Sequence, residues 1–74
     1  MREAIGKFIG GQVTAHRKRA RWSQAELGDR VGVSRQAVAQ WESGELPSFE
    51  SVYAIAEVFD VEVFDLLPQL RQLR

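Results

Sequence analysis

Apolar side chains recur at helical spacing on both sides of Gly32-Val33: Leu27 and Val31 before it, Val38 and Trp41 after it. The pattern predicts two short helices, about 24–31 and 35–42, joined by a tight turn. Ser23, with Glu26 three residues on, forms a capping box that satisfies orphan amides at the first helix start. Gly32 turns the chain with positive φ at no Cβ penalty, and Ser34 caps the second helix. Upstream, Ile9, Val13 and Ala20 predict a helix from about Ile9 or Gln12 to Ala20, with His16 and Arg17 beside its apolar side. Residues 2–9 can begin a helix, which Gly10-Gly11 weakens. Downstream, Ser43-Gly44 ends the third helix and Pro47-Ser48 announces a fourth, Phe49 to Phe59, with Val52, Ile55, Ala56 and Phe59 as its buried stripe. Asp60, which tolerates the left-handed region, closes it. Val61 leads into a short fifth helix, about 62–67, before Pro68. The expected fold class is all-α: one domain over residues 1–74, a five-helix bundle with its core at about 9–67 and a C-terminal tail at 68–74.

The polar positions of the third helix add a second pattern. At about 100° per residue, Ala37, Val38 and Trp41 fall on one side, and Arg35, Gln36, Ala39 and Gln40 on the other. That outer face carries a guanidinium and two amides but no carboxylate. Arg suits a guanine edge and Gln an adenine edge in the major groove, while Ala admits a thymine methyl or close approach. Two helices, a tight turn and an outward polar face make a helix-turn-helix with an exposed recognition helix.

The run WSQAELGDRVGVSRQAVAQWESG, with LPSFESVYAIAEVFDVEVFDLL after it, resembles the Cro/repressor-type helix-turn-helix regulators over roughly residues 9 to 67. The resemblance implies a compact five-helix bundle of the lambda-repressor-like type, with the motif in helices two and three, that binds operator DNA, usually as a symmetric dimer. It also implies a phosphate contact from Gln24 at the start of helix two, and an ion pair between Arg17 and Glu42. We group Ser23, Ser34, Ser43 and Lys18 with Gln24 as expected phosphate contacts. Three positions and one loop depart from the family pattern. Gly28 stands where Ala is usual, Trp22 where Leu is usual, and Glu45 where Lys or Arg is frequent. The loop Gly44-Glu45-Leu46-Pro47 is one residue shorter than the common form.

Formal net charge is zero over 74 residues, which is awkward for a phosphate binder until its distribution is considered. Residues 1–21 hold Arg2, Lys7, Arg17, Lys18, Arg19 and Arg21 against Glu3 alone; residues 45–74 hold Arg71 and Arg74 against six carboxylates. The chain has a basic front and an acidic rear, and a phosphate footprint needs only a local positive face. Cations at the end of helix one also complement its dipole.

Other classes find little support. There is no cysteine and one histidine, His16, expected to be a half-buried structural residue. No ligand spacing for a metal and no glycine-rich phosphate loop occurs, and no apolar run approaches the roughly 20 residues of a membrane span. We expect no enzyme activity, no cofactor, no membrane association and no small-molecule ligand, and a reducing, cytoplasmic setting. Trp22 and Trp41 are expected in the core. The expected function is sequence-specific binding of double-stranded DNA by a transcriptional regulator, a repressor acting as a homodimer on a pseudo-palindromic operator. The alternative is a protein-interaction module on the same fold, antitoxin-like, using the acidic rear. Val63, Phe64, Leu66, Leu67, Leu70 and Leu73 exceed what one short helix buries in its own domain. Val63, Phe64, Leu67, Leu70 and Leu73 are accordingly the expected dimer surface.

Overall fold

The computed structural model describes residues 1–73; Arg74, the last residue of the expected tail, lies outside them. Four α-helices follow in order: α1 (Arg2–Ala20), α2 (Gln24–Val31), α3 (Arg35–Glu42) and α4 (Phe49–Phe59). Two 3₁₀ helices, Val63–Leu66 and Leu70–Leu73, complete the chain, and there is no strand among the described residues. The bounds of α2, α3 and α4 match the sequence expectation because each starts at a side-chain cap. Ser23 Oγ accepts from Glu26 N–H while Glu26 accepts from Ser23 N–H; Ser34 Oγ accepts from Ala37 N–H and Ser48 Oγ from Ser51 N–H. Their ends are marked by left-handed residues: Gly32 closes α2, Gly44 lies just beyond α3, and Asp60 closes α4.

Ile9, Val13, Leu27, Val38, Trp41, Val52, Ile55, Ala56 and Leu66 form one core shared by all four α-helices and the first 3₁₀ helix. Truncating Ile9, Leu27, Ile55 or Leu66, all fully buried, to Ala carries a cost of about 2–5 kcal/mol.

Three expectations need correction. First, α1 does not start at Ile9 or Gln12; it is continuous from Arg2. Gly6 and Gly10 are one turn apart and both buried, and a Cβ on either would overlap a carbonyl oxygen, that of Gly44 or of Trp41 respectively. The glycines let α1 pack backbone-to-backbone on the end of α3, and that contact outweighs their poor helix propensity. Second, Ala20 is exposed rather than inward, because α1 ends there and the chain turns away through a left-handed Arg21. Third, the fifth helix is a single 3₁₀ turn with Leu66 wholly buried. Of the apolar residues grouped beyond α4, only Phe64 (87% exposed) and Leu70 (74%) stand bare. Val63 and Leu67 pack against their own core, and Leu73 is half-buried.

Candidate nucleic-acid interface

The turn between α2 and α3 fixes the angle at which α3 is presented. Gly32 N–H and Val33 N–H both donate to the Gly28 carbonyl at 2.8 Å. A Cβ on Gly28 would sit 2.8 Å from the Val33 carbonyl oxygen, so glycine here brings the turn down onto α2. With Val38 and Trp41 anchored in the core, the opposite side of α3 faces outward. Arg35, Gln36 and Gln40 are exposed, and Ala39 is half-buried between them. Arg35 has no carboxylate within ion-pair distance among the described residues, so its guanidinium is free to bond outward.

The back of α3 is clamped to α1. Arg17 Nε donates to Glu42 Oε2 at 2.6 Å and Nη2 to Oε1 at 3.0 Å, a two-pronged ion pair, while Nη1 donates to the Trp22 carbonyl at 2.9 Å. One guanidinium thus ties together the end of α1, the loop before α2 and the end of α3. Burial pushes the Glu42 carboxyl up. The bonds from Arg17 and Gln24 and the attraction of the Arg17 charge outweigh it and hold the carboxyl below its ordinary value. The same bond raises Arg17.

The residues expected to touch phosphate divide. Gln24, half-buried, donates through Nε2 to Glu42 Oε1 at 3.2 Å, so it belongs to the clamp; the second hydrogen of its amide is left for an outside acceptor. Ser23 and Ser34 are exposed helix caps, and Ser43 Oγ donates to the Gln40 carbonyl at 2.8 Å. Lys18 is exposed on the last turn of α1, beside Arg19. Gln24's bond to Glu42 escaped sequence reasoning, since it spans two helices. So did the placing of Lys7, whose Cγ would lie 3.4 Å from a Cβ on Gly44, next to the exit of α3. The Gly6–Gly10 spacing was the available signal for that placing.

Trp41 is buried as expected, but Trp22 is half-exposed. Its ring stacks on Phe59 (centroids 5.7 Å apart), which stacks in turn on His16 (5.1 Å), and Arg30 Cζ lies 4.1 Å over the Trp22 ring. Among the described residues no three His, Asp or Glu side chains gather as metal ligands, and no helix is long and apolar enough to cross a membrane.

A helix-turn-helix family model matches residues 14–66. The repressor protein C2 of Salmonella phage P22 is 38% identical over 52 residues, which cover 69% of this chain and 24% of that protein; the chain thus spans about a quarter of that relative. Among solved structures, the P22 c2 repressor in complex with a synthetic operator superposes with a TM-score of 0.76 at 36% identity, over 81% of this chain and 92% of that one. Hydroxypropylphosphonic acid epoxidase from S. wedmorenis superposes with a TM-score of 0.81 over 89% of this chain and 36% of that one. At 22% identity that second likeness shows the fold alone.

Proposed function

The chain belongs to the helix-turn-helix family whose model spans most of it, residues 14–66, and on that footing we propose that it is a sequence-specific double-stranded-DNA-binding regulator, a repressor acting as a homodimer on a pseudo-palindromic operator. The observation that carries the reading is the exposed face of α3. Arg35, Gln36, Ala39 and Gln40 project from a helix whose opposite side is locked by Trp41, Val38 and the Arg17–Glu42 pair. A recognition helix must present hydrogen-bonding side chains outward and hold them in register with the base edges. The likeness to the P22 c2 repressor, which was solved in complex with a synthetic operator, supports a double-stranded-DNA partner.

The roles divide by chemistry. Arg35 and Gln36, in the first turn of α3, read base edges; Gln40 reads one turn further along, and Ala39 lets the helix approach closely. Gln24, Ser23, Ser34, Ser43 and Lys18 contact phosphates, which fix register without specifying sequence. One such domain covers about a half-site, and selectivity against a genome of competitors calls for two, spaced about one helical turn apart. Phe64 and Leu70, at the acidic rear, supply the apolar surface for pairing, with Val63, Leu67 and Leu73 at its margin. Repression follows by occluding a promoter or by contacting polymerase from a nearby site, in the cytoplasm on nucleoid DNA.

Fluorescence anisotropy with the DNA upstream of its own gene, against a scrambled duplex, tests the reading. Discrimination of about 10³-fold or more at physiological salt is expected. Equal affinity for the two duplexes would overturn it.

A further inference from the structure

A concavity opens between the C-terminal ends of α1 and α4. It is an open groove of about 360 Å³ lined by His16, Arg19, Trp22, Val58, Phe59 and Val61, with Ala20 at its edge. Its floor is the stacked series of His16, Phe59 and Trp22, and its rim carries Arg19, with exposed Arg21 next to Ala20. Among the described residues neither arginine has a carboxylate within ion-pair distance. The ring of Phe64, 87% exposed, is the barest apolar side chain of the chain's described residues. It projects from a turn made rigid at both ends: Glu62 N–H donates to Asp65 Oδ2 at 3.0 Å, and Leu66 is wholly buried. Exposed Glu62 and Asp65 flank it.

We propose that Phe64 of one protomer seats in the His16–Trp22–Phe59 groove of a second copy, with Glu62 and Asp65 facing Arg19 and Arg21 across the interface. This rests on the homodimer reading above and names the receiving surface. Three features commit the groove to a second copy. The groove is aromatic and the knob is a phenyl ring, which together bury apolar area and stack. The rim is basic and the flanks of the knob are acidic, so the potentials are complementary. Val61 lines the groove and lies three residues before Phe64, so knob and groove share one edge of the domain. A two-fold axis beside that edge uses each contact twice, as an isologous interface requires.

The full chain, followed by analytical ultracentrifugation, tests this. Wild type is expected to be dimeric at micromolar concentration. Phe64→Ser should weaken the dimer about thirtyfold or more, the range of an interface anchor. Ala20→Trp, which fills the mouth of the groove, should act in the same direction. Arg19→Glu should weaken the dimer, and Arg19→Glu combined with Glu62→Arg, which leaves the Asp65 bond to the Glu62 N–H in place, should restore it. Phe49→Ser, removing a bare aromatic from α4, should change nothing. All substituted positions are exposed, and circular dichroism checks that the fold persists. A monomeric wild type overturns the proposal, as does a dimer broken by Phe64→Ser but indifferent to Ala20→Trp and Arg19→Glu. Operator binding is scored in parallel. A dimer that shows this pattern but no sequence discrimination sinks the regulatory reading and upholds the interface. Discrimination by a dimer indifferent to the groove variants does the reverse.

Discussion

Arg17 and Glu42 lie 25 residues apart in sequence and meet through two hydrogen bonds, Nε to Oε2 and Nη2 to Oε1, with only 14% and 9% of their side chains exposed. Removing one partner strands the other. We expect Arg17→Met or Glu42→Leu to destabilise the fold by about 2–4 kcal/mol, toward the lower end of the buried-pair range because both retain some water. The double variant should recover part of the loss. Urea unfolding measures all three, and a single variant as stable as wild type would refute the clamp.

Acid should weaken the same clamp. The Glu42 carboxyl is held below its ordinary value in the fold, and the Glu26 carboxyl likewise, chiefly by the Ser23 backbone N–H. A depressed carboxyl contributes stability that is complete above the unfolded value, about 4.3, and is lost as pH falls through the folded value. Unfolding free energy should therefore decline below about pH 5, and the decline should be shallower in Glu42→Gln. Parallel acid limbs for the two proteins would contradict this.

Neighbouring glycines of α1 should respond oppositely to alanine. At Gly11 a Cβ meets nothing within 4 Å, so Gly11→Ala should gain about 0.5–1 kcal/mol of helix propensity. At Gly10 it would overlap the Trp41 carbonyl, and Gly10→Ala should lose about 1–3 kcal/mol as α1 is forced off α3. Thermal unfolding of the two variants side by side decides it.

On DNA, Arg35→Ala should relax discrimination by about 1–3 kcal/mol at one base position of the half-site. Gln24→Ala should weaken binding evenly across sequences, and because it also loosens Glu42 it should lower stability slightly. Competition against a panel of single-base operator variants separates the two. A Gln24→Ala profile with the sequence preference of Arg35→Ala would reject the division of roles.

What was legible in the sequence was local. Ser23 with Glu26, Ser34, Ser48, Gly32 and Asp60 write helix starts and stops into the chain, and α2, α3 and α4 sit where those signals put them. The opposed faces of α3 follow from the same periodicity. What was not legible depends on distance across the fold. Gly10-Gly11 reads as a break until Gly6 and Gly10 are found against carbonyls from the far end of the motif. Gln24 reads as a free first-turn residue until Glu42 is found within its reach. Leu66 and Phe64 count alike in a tally of C-terminal apolar residues until the segment is seen to form a single 3₁₀ turn against the core. Its repeat of three puts one in the core and leaves the other bare.

The four side chains of the α3 reading face take no part in what holds α3 in place. Its cap is Ser34, its anchors are Val38 and Trp41, and its clamp is Arg17 on Glu42. A lineage could therefore exchange Arg35, Gln36 or Gln40 for other polar residues with little penalty to folding. Under the proposed DNA-reading role, operator preference is then free to diverge among descendants of one scaffold, each retaining the same architecture while answering to a different stretch of genome.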